Sequence, residues 1–376
     1  MQKKKIATFA LVCTIAALNV MIVIFPATAL EAARFGTSLW FNSFLPGTLP
    51  FLIGVNVLMA FGAVKYFGLF LSPVMKTVFR LPGSGGFAFI MGIISGYPIG
   101  AKIVCEMRTK GELGRRDAQR LLGFSNNAGP LFILGAVGAG MFSSPAFGYL
   151  LLIGHYAGAI ILGLTLRIFA KNTGAHCAPL QTTMGIHYAP SQTPVGAHSV
   201  RPPSLGQALA SAVKNAMETM LIIGGFIILF SVISALLNQL SVISYQLSVP
   251  IAGVIEMTGG LGLLGDAPPT QAGAALAAAI LGFGGLSILF QALSFIGKTD
   301  LSGGLYVLCK IAHAAIAAIV SFLLFPLFAH TIERQSSQAA FAPSAMQTLT
   351  SSASILVISL GVVLVMCLIA FFRKRG

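Results

Sequence analysis

Apolar residues in this chain come in long blocks rather than in stripes. Blocks near 46–64, 119–142, 147–168, 216–237 and 303–328 are each bounded by basic or Gly/Pro-rich stretches. A block of roughly 20 apolar residues spans a ~30 Å hydrocarbon core as a helix, so the pattern predicts membrane-crossing helices. Two further blocks, 84–107 and 271–297, are equally apolar but interrupted halfway. The first contains Ser95-Gly96-Tyr97-Pro98-Ile99-Gly100-Ala101-Lys102. Pro98 has no amide donor and clashes with a preceding helical turn, so the helix must stop there. Each half is roughly 16 Å long at 1.5 Å per residue, about half a bilayer. A re-entrant hairpin fits that length. The second block breaks at Gly282-Phe283-Gly284-Gly285-Leu286-Ser287 and is read in the same way. Non-helical backbone at membrane depth is tolerated only inside protein or beside water, so both breaks are candidate sites.

The remaining segments complete the plan. Lys3, Lys4 and Lys5 precede an apolar run ending near Ala29, which suits a signal peptide but is long enough to favour an uncleaved first span. Glu31 to Phe44 holds the only tryptophan, Trp40, and is read as lying at the headgroup level. The stretches 66–80 and 249–258 are amphipathic and suit interfacial arms. Residues 171–205 carry five prolines and read as a cytoplasmic linker. Its His176, His187 and His198 are solvated, since nothing in a Pro-rich coil makes them converge on a metal.

An internal repeat is visible. Pro73-Val74-Met75 through Gly83 matches Pro250-Ile251-Ala252 through Gly260, and Ile93 to Gly100 matches Ile280 to Ser287. At that offset Asn126 falls opposite His313. The expected fold is an all-α polytopic membrane protein with about seven full spans and two inverted repeats, each with one re-entrant helical hairpin, the first open to the cytoplasm and the second to the outside. Its parts are an N-terminal anchor 1–35, a first repeat 36–170 with hairpin 84–107, and the linker 171–205. A second repeat 206–330 with hairpin 271–297 and a tail 331–376 follow. The tail's last apolar run, 353–372, ends on Arg373-Lys374-Arg375, which this topology places outside, against the positive-inside tendency.

Composition sharpens the class. Of 376 residues, 56% are hydrophobic and 9% charged, unlike any soluble domain. The net charge of +14 sits in loops between apolar runs, so it reports topology and not nucleic-acid binding. The cysteines at 13, 105, 177, 309 and 367 have no paired spacing and imply neither a disulfide framework nor a metal site. No nucleophile elbow, HExxH, P-loop or dinucleotide-binding glycine pattern occurs, so neither an enzyme nor a cofactor is expected.

Polar residues within the apolar blocks are the candidate substrate contacts. Ser95 and Gly96 sit where a half-helix N-terminus opens its amides to an anion. Tyr97 offers a ring and a hydroxyl, and Lys102 lies one turn beyond the break. Ser125, Asn126 and Asn127 interrupt a span before Gly129-Pro130, as cavity-facing groups or as glue between helices. In the second half, Gly284, Ser287 and Gln291 flank the other break. Lys310 and His313 share a helical face, as a cationic partner for substrate, as a proton relay, or in structural pairing with Glu218 or Glu256. His155 is read as a satisfied bundle histidine.

With Ser95 to Lys102 and Phe124-Ser125-Asn126-Asn127-Ala128-Gly129-Pro130 in view, residues 36–330 resemble the YlbJ-type sporulation integral membrane proteins, also called SpoVV-like. These are built on the nucleoside recognition, or Gate, domain. The resemblance implies solute passage. For this branch it implies transport of dipicolinate, a flat aromatic dianion, across the outer forespore membrane, with a proton or sodium as coupling ion and a homo-oligomer as a further expectation. Alternatives are a nucleoside or other small polar metabolite as cargo, or a non-transporting sporulation scaffold.

Overall fold

A computed structural model describes residues 2–168, 204–239 and 245–339. The linker histidines, Cys177, Cys367 and the run at 353–372 lie outside the described residues. The chain is an all-helical multi-pass membrane protein; among the described residues 86% are in helices and none is in a strand. Among the described residues four helices are long and apolar enough to cross a bilayer, or up to six if each of two bent pairs counts as one span. Large apolar side chains such as Leu221, Leu308, Leu323 and Leu327 point outward, as a lipid solvent allows.

Helix α1 (Gln2–Ile24) turns by 103° into α2 (Pro26–Leu39), with Pro26 in the first helical turn, where its missing N–H costs nothing. A π-helical turn, Trp40–Phe44, carries α2 straight into α3 (Leu45–Ala60). This run lies antiparallel along α9 (Leu205–Gln239): Gly36 sits on Ile228, and Asn56 donates to the Ala212 carbonyl at 3.2 Å. Trp40 anchors this run to α9. Its ring covers Gly224 and its indole N–H donates to the Met220 carbonyl at 2.9 Å. At Gly62 (φ 77°) the chain turns by 90° into α4 (Ala63–Val78).

Next come α5 (Gly85–Ser95) and α6 (Ile99–Thr109), folded back on each other around Gly96. Gly92 and Gly100, equidistant from that break, face each other across the pair and both press on the Ser125 carbonyl oxygen. Helix α7 (Arg115–Ser125) ends there, and Asn126 is extended (φ −96°, ψ 97°). The stretch expected as one span at 119–142 is therefore broken at 126–129 and resumes as a π-helical segment, Phe132–Met141. Helix α8 (Pro145–Arg167) closes the first half.

After α9 comes a second folded-back pair, but not where sequence similarity placed it. The folded-back pair is α10 (Tyr245–Ile255) with α11 (Met257–Gly265), where an interfacial arm was expected, and Gly253 and Gly260 touch across it. Gln271–Ile296, expected as the second re-entrant hairpin, runs through its break as one 26-residue stretch long enough to cross. It consists of α12 (Gln271–Phe283) and α13 (Gly285–Ile296) either side of Gly284 (φ 87°). Helix α14 (Gly303–Ala339) follows and absorbs the start of the expected polar loop. The physical reason is that a glycine cluster serves helix contact as readily as helix reversal: Gly282 presses on Ala314 of α14, and Gly285 on the tip at Glu256 and Met257.

Tertiary contacts sort the ends. At one end Arg108 and Arg115 reach Asp300, and Arg120 reaches the Leu166 and Arg80 carbonyls. At the other, Gln335 accepts from the Ser144 hydroxyl and the Ala146 N–H, and Gly265 packs on the Met141 carbonyl.

Candidate functional site

The tip of the first folded-back pair seats on the broken span: the Gly96 α-carbon leaves no room for a side chain against the Gly129 amide. That seating drives Tyr97 across to the other break. Its hydroxyl donates to the Leu281 carbonyl at 3.0 Å, and its ring lies beside Gly284. Asn126, released from helical geometry, accepts the Ala101 N–H at 3.2 Å and donates to the Tyr306 hydroxyl at 2.7 Å. It thereby caps α6, whose first amides have no partner within the helix.

Lys310 of α14 is fully buried at this junction. Its ammonium donates to the Tyr97 hydroxyl at 2.7 Å, the Asn126 carbonyl at 3.1 Å and His313 Nδ1 at 3.2 Å. The cation also lies 4.7 Å from the Tyr97 ring centre. With Nδ1 accepting, His313 carries its proton on Nε2 and donates to the His155 carbonyl at 2.8 Å. The His155 ring accepts the Ala128 N–H at 3.0 Å through Nε2, so its proton is on Nδ1. Tyr156 donates to the Ala128 carbonyl at 3.0 Å. Among the described residues, no carboxylate comes within ion-pair distance of Lys310. Pairing with Glu218 or Glu256 is thus not found; Glu256 instead caps α11, accepting from the Gly259 N–H at 2.7 Å. Three buried polar atoms around the break have no hydrogen-bond partner among the described residues: Ser125 Oγ, Asn127 Oδ1 and His155 Nδ1. Buried groups of this kind are costly unless something meets them.

A second feature lies toward the end marked by Asp300. A cavity of about 280 Å³ opens between α6, α9 and α13. Its wall includes Lys102, Lys110 and Lys298, set against Glu106 and Glu218, with Asn215 and Phe295. Lys102 pairs with Glu106 at 2.6 Å, leaving two lysines facing one glutamate. The cavity and the junction share helix α6, which carries Lys102 on the cavity wall next to Ala101, whose N–H the Asn126 side chain holds. Beyond this cavity Arg108 grips Asp300 with two bonds, Nε to Oδ1 at 2.9 Å and Nη2 to Oδ2 at 2.8 Å. That bonding holds the Asp300 carboxyl below the ordinary carboxylate range, although burial opposes it.

The residues singled out from sequence separate into groups. Gly96, Tyr97, Asn126, Gly284, Lys310 and His313 meet at the junction. Lys102 stands in the cavity. Ser287 and Gln291 are buried and bond to each other at 3.2 Å. The Ser95 hydroxyl turns back to the Met91 carbonyl of its own helix. Asn127 donates to the Phe124 carbonyl at 2.8 Å. Sequence reasoning passed over Tyr306 and Tyr156 and undervalued His155. Tyr306 was findable, since 306, 310 and 313 form one stripe at helical spacing. The part played by the α8 residues depends on where α8 packs, which no local pattern encodes.

Over 350 residues the chain is 32% identical to "Sporulation integral membrane protein YlbJ" of Bacillus subtilis (strain 168), a match covering 87% of this chain and 85% of that protein. No family model matches the chain. No solved structure matches it.

Proposed function

The chain belongs to the YlbJ family of sporulation integral membrane proteins, and from that premise we propose that it is a carrier, not an enzyme, moving a small aromatic dianion across a sporulation membrane. Dipicolinate crossing the outer forespore membrane is the cargo and place that fit best. The observation that carries this reading is the lysine-walled cavity at the outgoing arm of the first broken pair. At about 280 Å³ it is just below the roughly 300–1,000 Å³ range of small-molecule sites. Two carboxylates of a flat cargo would meet Lys298 and Lys110 or Lys102, and its ring would lie on Phe295. The unpartnered Ser125, Asn127 and His155 atoms around the break would be further polar contacts for a cargo that reaches the junction.

The architecture supports carriage in a Gate-like, inverted-repeat form. Both halves contain a long helix, a folded-back pair, a broken helix and a closing long helix, the first half with α4 as an additional element, and each tip seats on the break of its own half: Gly96 on Gly129, and Glu256 with Met257 on Gly285. Discontinuous helices meeting near the midplane are how secondary transporters build a substrate site. In this register Gly92 and Gly100 correspond to Gly253 and Gly260.

Uptake of labelled dipicolinate by purified protein in vesicles tests the proposal. Each charged hydrogen bond is worth roughly 1.5–3 kcal/mol, so Lys298→Ala or Lys102→Ala should raise the half-saturating concentration about 10- to 100-fold. Unchanged saturable uptake in the double variant would remove the cavity from the path. Competition by nucleosides would reassign the cargo, and absence of any uptake would leave a scaffold.

A further inference from the structure

We propose that Lys310 holds the coupling proton of the transport cycle, a tethered cation standing at the helix breaks where a free coupling ion would otherwise bind. The inference rests on the carrier reading and adds the identity and location of its coupling ion. In discontinuous-helix transporters, carbonyls released by the break coordinate the coupling cation. Here the carbonyl released at the first break, that of Asn126, receives an N–H of Lys310 at 3.1 Å. The other two ammonium donors go to the Tyr97 hydroxyl and to His313 Nδ1. The Tyr97 hydroxyl in turn donates a hydrogen bond to the Leu281 carbonyl, one turn before the second break. One ammonium therefore ties both interruptions together, and its charge and bulk beside the Asn126 carbonyl and the Tyr97 hydroxyl disfavour a metal cation in the same place.

The surroundings allow one added proton. His313 accepts from Lys310 and donates to the His155 carbonyl, so a second proton on Nδ1 would point at the ammonium. The other titratable groups at the junction are Tyr97 from the first tip, His155 and Tyr156 from α8, Cys105 from α6, and Cys309 and Tyr306 from α14 itself. None of these is a carboxylate, and α12 contributes only backbone carbonyls.

Two of the three acceptors, Tyr97 and Asn126, belong to the first tip and the break it sits on. Moving them away from α14 strips the ammonium of partners in a dry environment. One N–H bond of Lys310 then breaks, the proton passes to solvent water, and the electron pair stays on a neutral amine. By linkage, whatever docks the tip binds the proton more tightly, and protonation docks the tip.

The test uses full-length protein in vesicles, as wild type, Lys310→Met and Lys310→Arg; the arginine keeps a charge that cannot be released. Wild type should accumulate dipicolinate under an imposed pH gradient and ignore a sodium gradient. Lys310→Arg should lose gradient-driven accumulation. A sodium response in wild type, or accumulation in both variants equal to wild type, would overturn the proposal. A second readout needs no cargo: amide hydrogen exchange of residues 92–101, compared among the three proteins from acidic to alkaline pH. Protection should fall with rising pH in wild type more than in either variant, and identical profiles in all three would overturn the assignment. If wild type carries nothing, the carrier reading fails and this second readout still decides the role of Lys310.

Discussion

A methyl group on Gly92 or Gly100 would fall inside the contact radius of the Ser125 carbonyl oxygen. That oxygen belongs to backbone at the end of α7, so it cannot swing aside as a side chain would. Either the first folded-back pair lifts off the break or α7 shifts, and overpacking of this kind costs roughly 1–3 kcal/mol. Gly92→Ala and Gly100→Ala should therefore lower the melting temperature of the detergent-purified protein and reduce dipicolinate uptake. Gly54→Ala is the matched control, because an added methyl there meets nothing within 4 Å. In the interior of α3 that change should be neutral or stabilising by up to about 1 kcal/mol, since alanine favours helix over glycine. Equal melting temperatures for all three variants would mean that the pair is not pressed against the break.

Each break in the structure has its own chemistry, and that decides which of them could be read from the sequence. The first was legible because Pro98 forbids continuation and Gly96 (φ 78°) accepts a conformation that side chains resist. The second reversal has neither proline nor glycine at its turning residue. Glu256 stops α10 and starts α11 by taking the Gly259 N–H, a cap readable only once the boundary is known. The conspicuous glycines at 282–285 drew the reading instead, although they serve helix packing and a bend. Among the side chains, Tyr97, Asn126, Lys310 and His313 were legible as polar intrusions in apolar blocks; their convergence was not, because it depends on the contact of α14 with the first tip. A further element-level device joins α6 to the loop before α14, where Arg108 holds Asp300. Asp300 titrates lower folded than unfolded, so its contribution is complete above the unfolded value near 3.9 and fades as pH drops through the folded one. Stability should accordingly show no loss of this clasp between neutrality and about pH 5. Asp300→Asn should remove roughly 1 kcal/mol across that range, visible as a pH-independent drop in melting temperature.

At the scale of the whole molecule, sidedness is the property on which the carrier reading turns. The end holding Arg80, Arg108, Lys110, Arg115, Arg116 and Lys298 is strongly basic, so under the carrier proposal it is taken, by the positive-inside tendency, as the cytoplasmic end. The first folded-back pair begins and finishes there, since Gly85 packs on Leu113 and Leu121 while Arg108 reaches Asp300. The second pair finishes at the opposite end, with Gly265 on the Met141 carbonyl. Under the carrier proposal, two half-depth intrusions from opposite sides would let the junction be exposed alternately, whereas two from one side would leave a permanent barrier on the other. Arg116 and Asp266 are both exposed and stand at these two ends. In a background with all five native cysteines replaced, Arg116→Cys should react with a membrane-impermeant maleimide only in inside-out vesicles, and Asp266→Cys only in right-side-out vesicles. Labelling of both positions from the same side would place both pairs on one face. In that case the junction at Lys310 could still be a structural knot, but it could not alternate, and the lysine-walled cavity would lead nowhere.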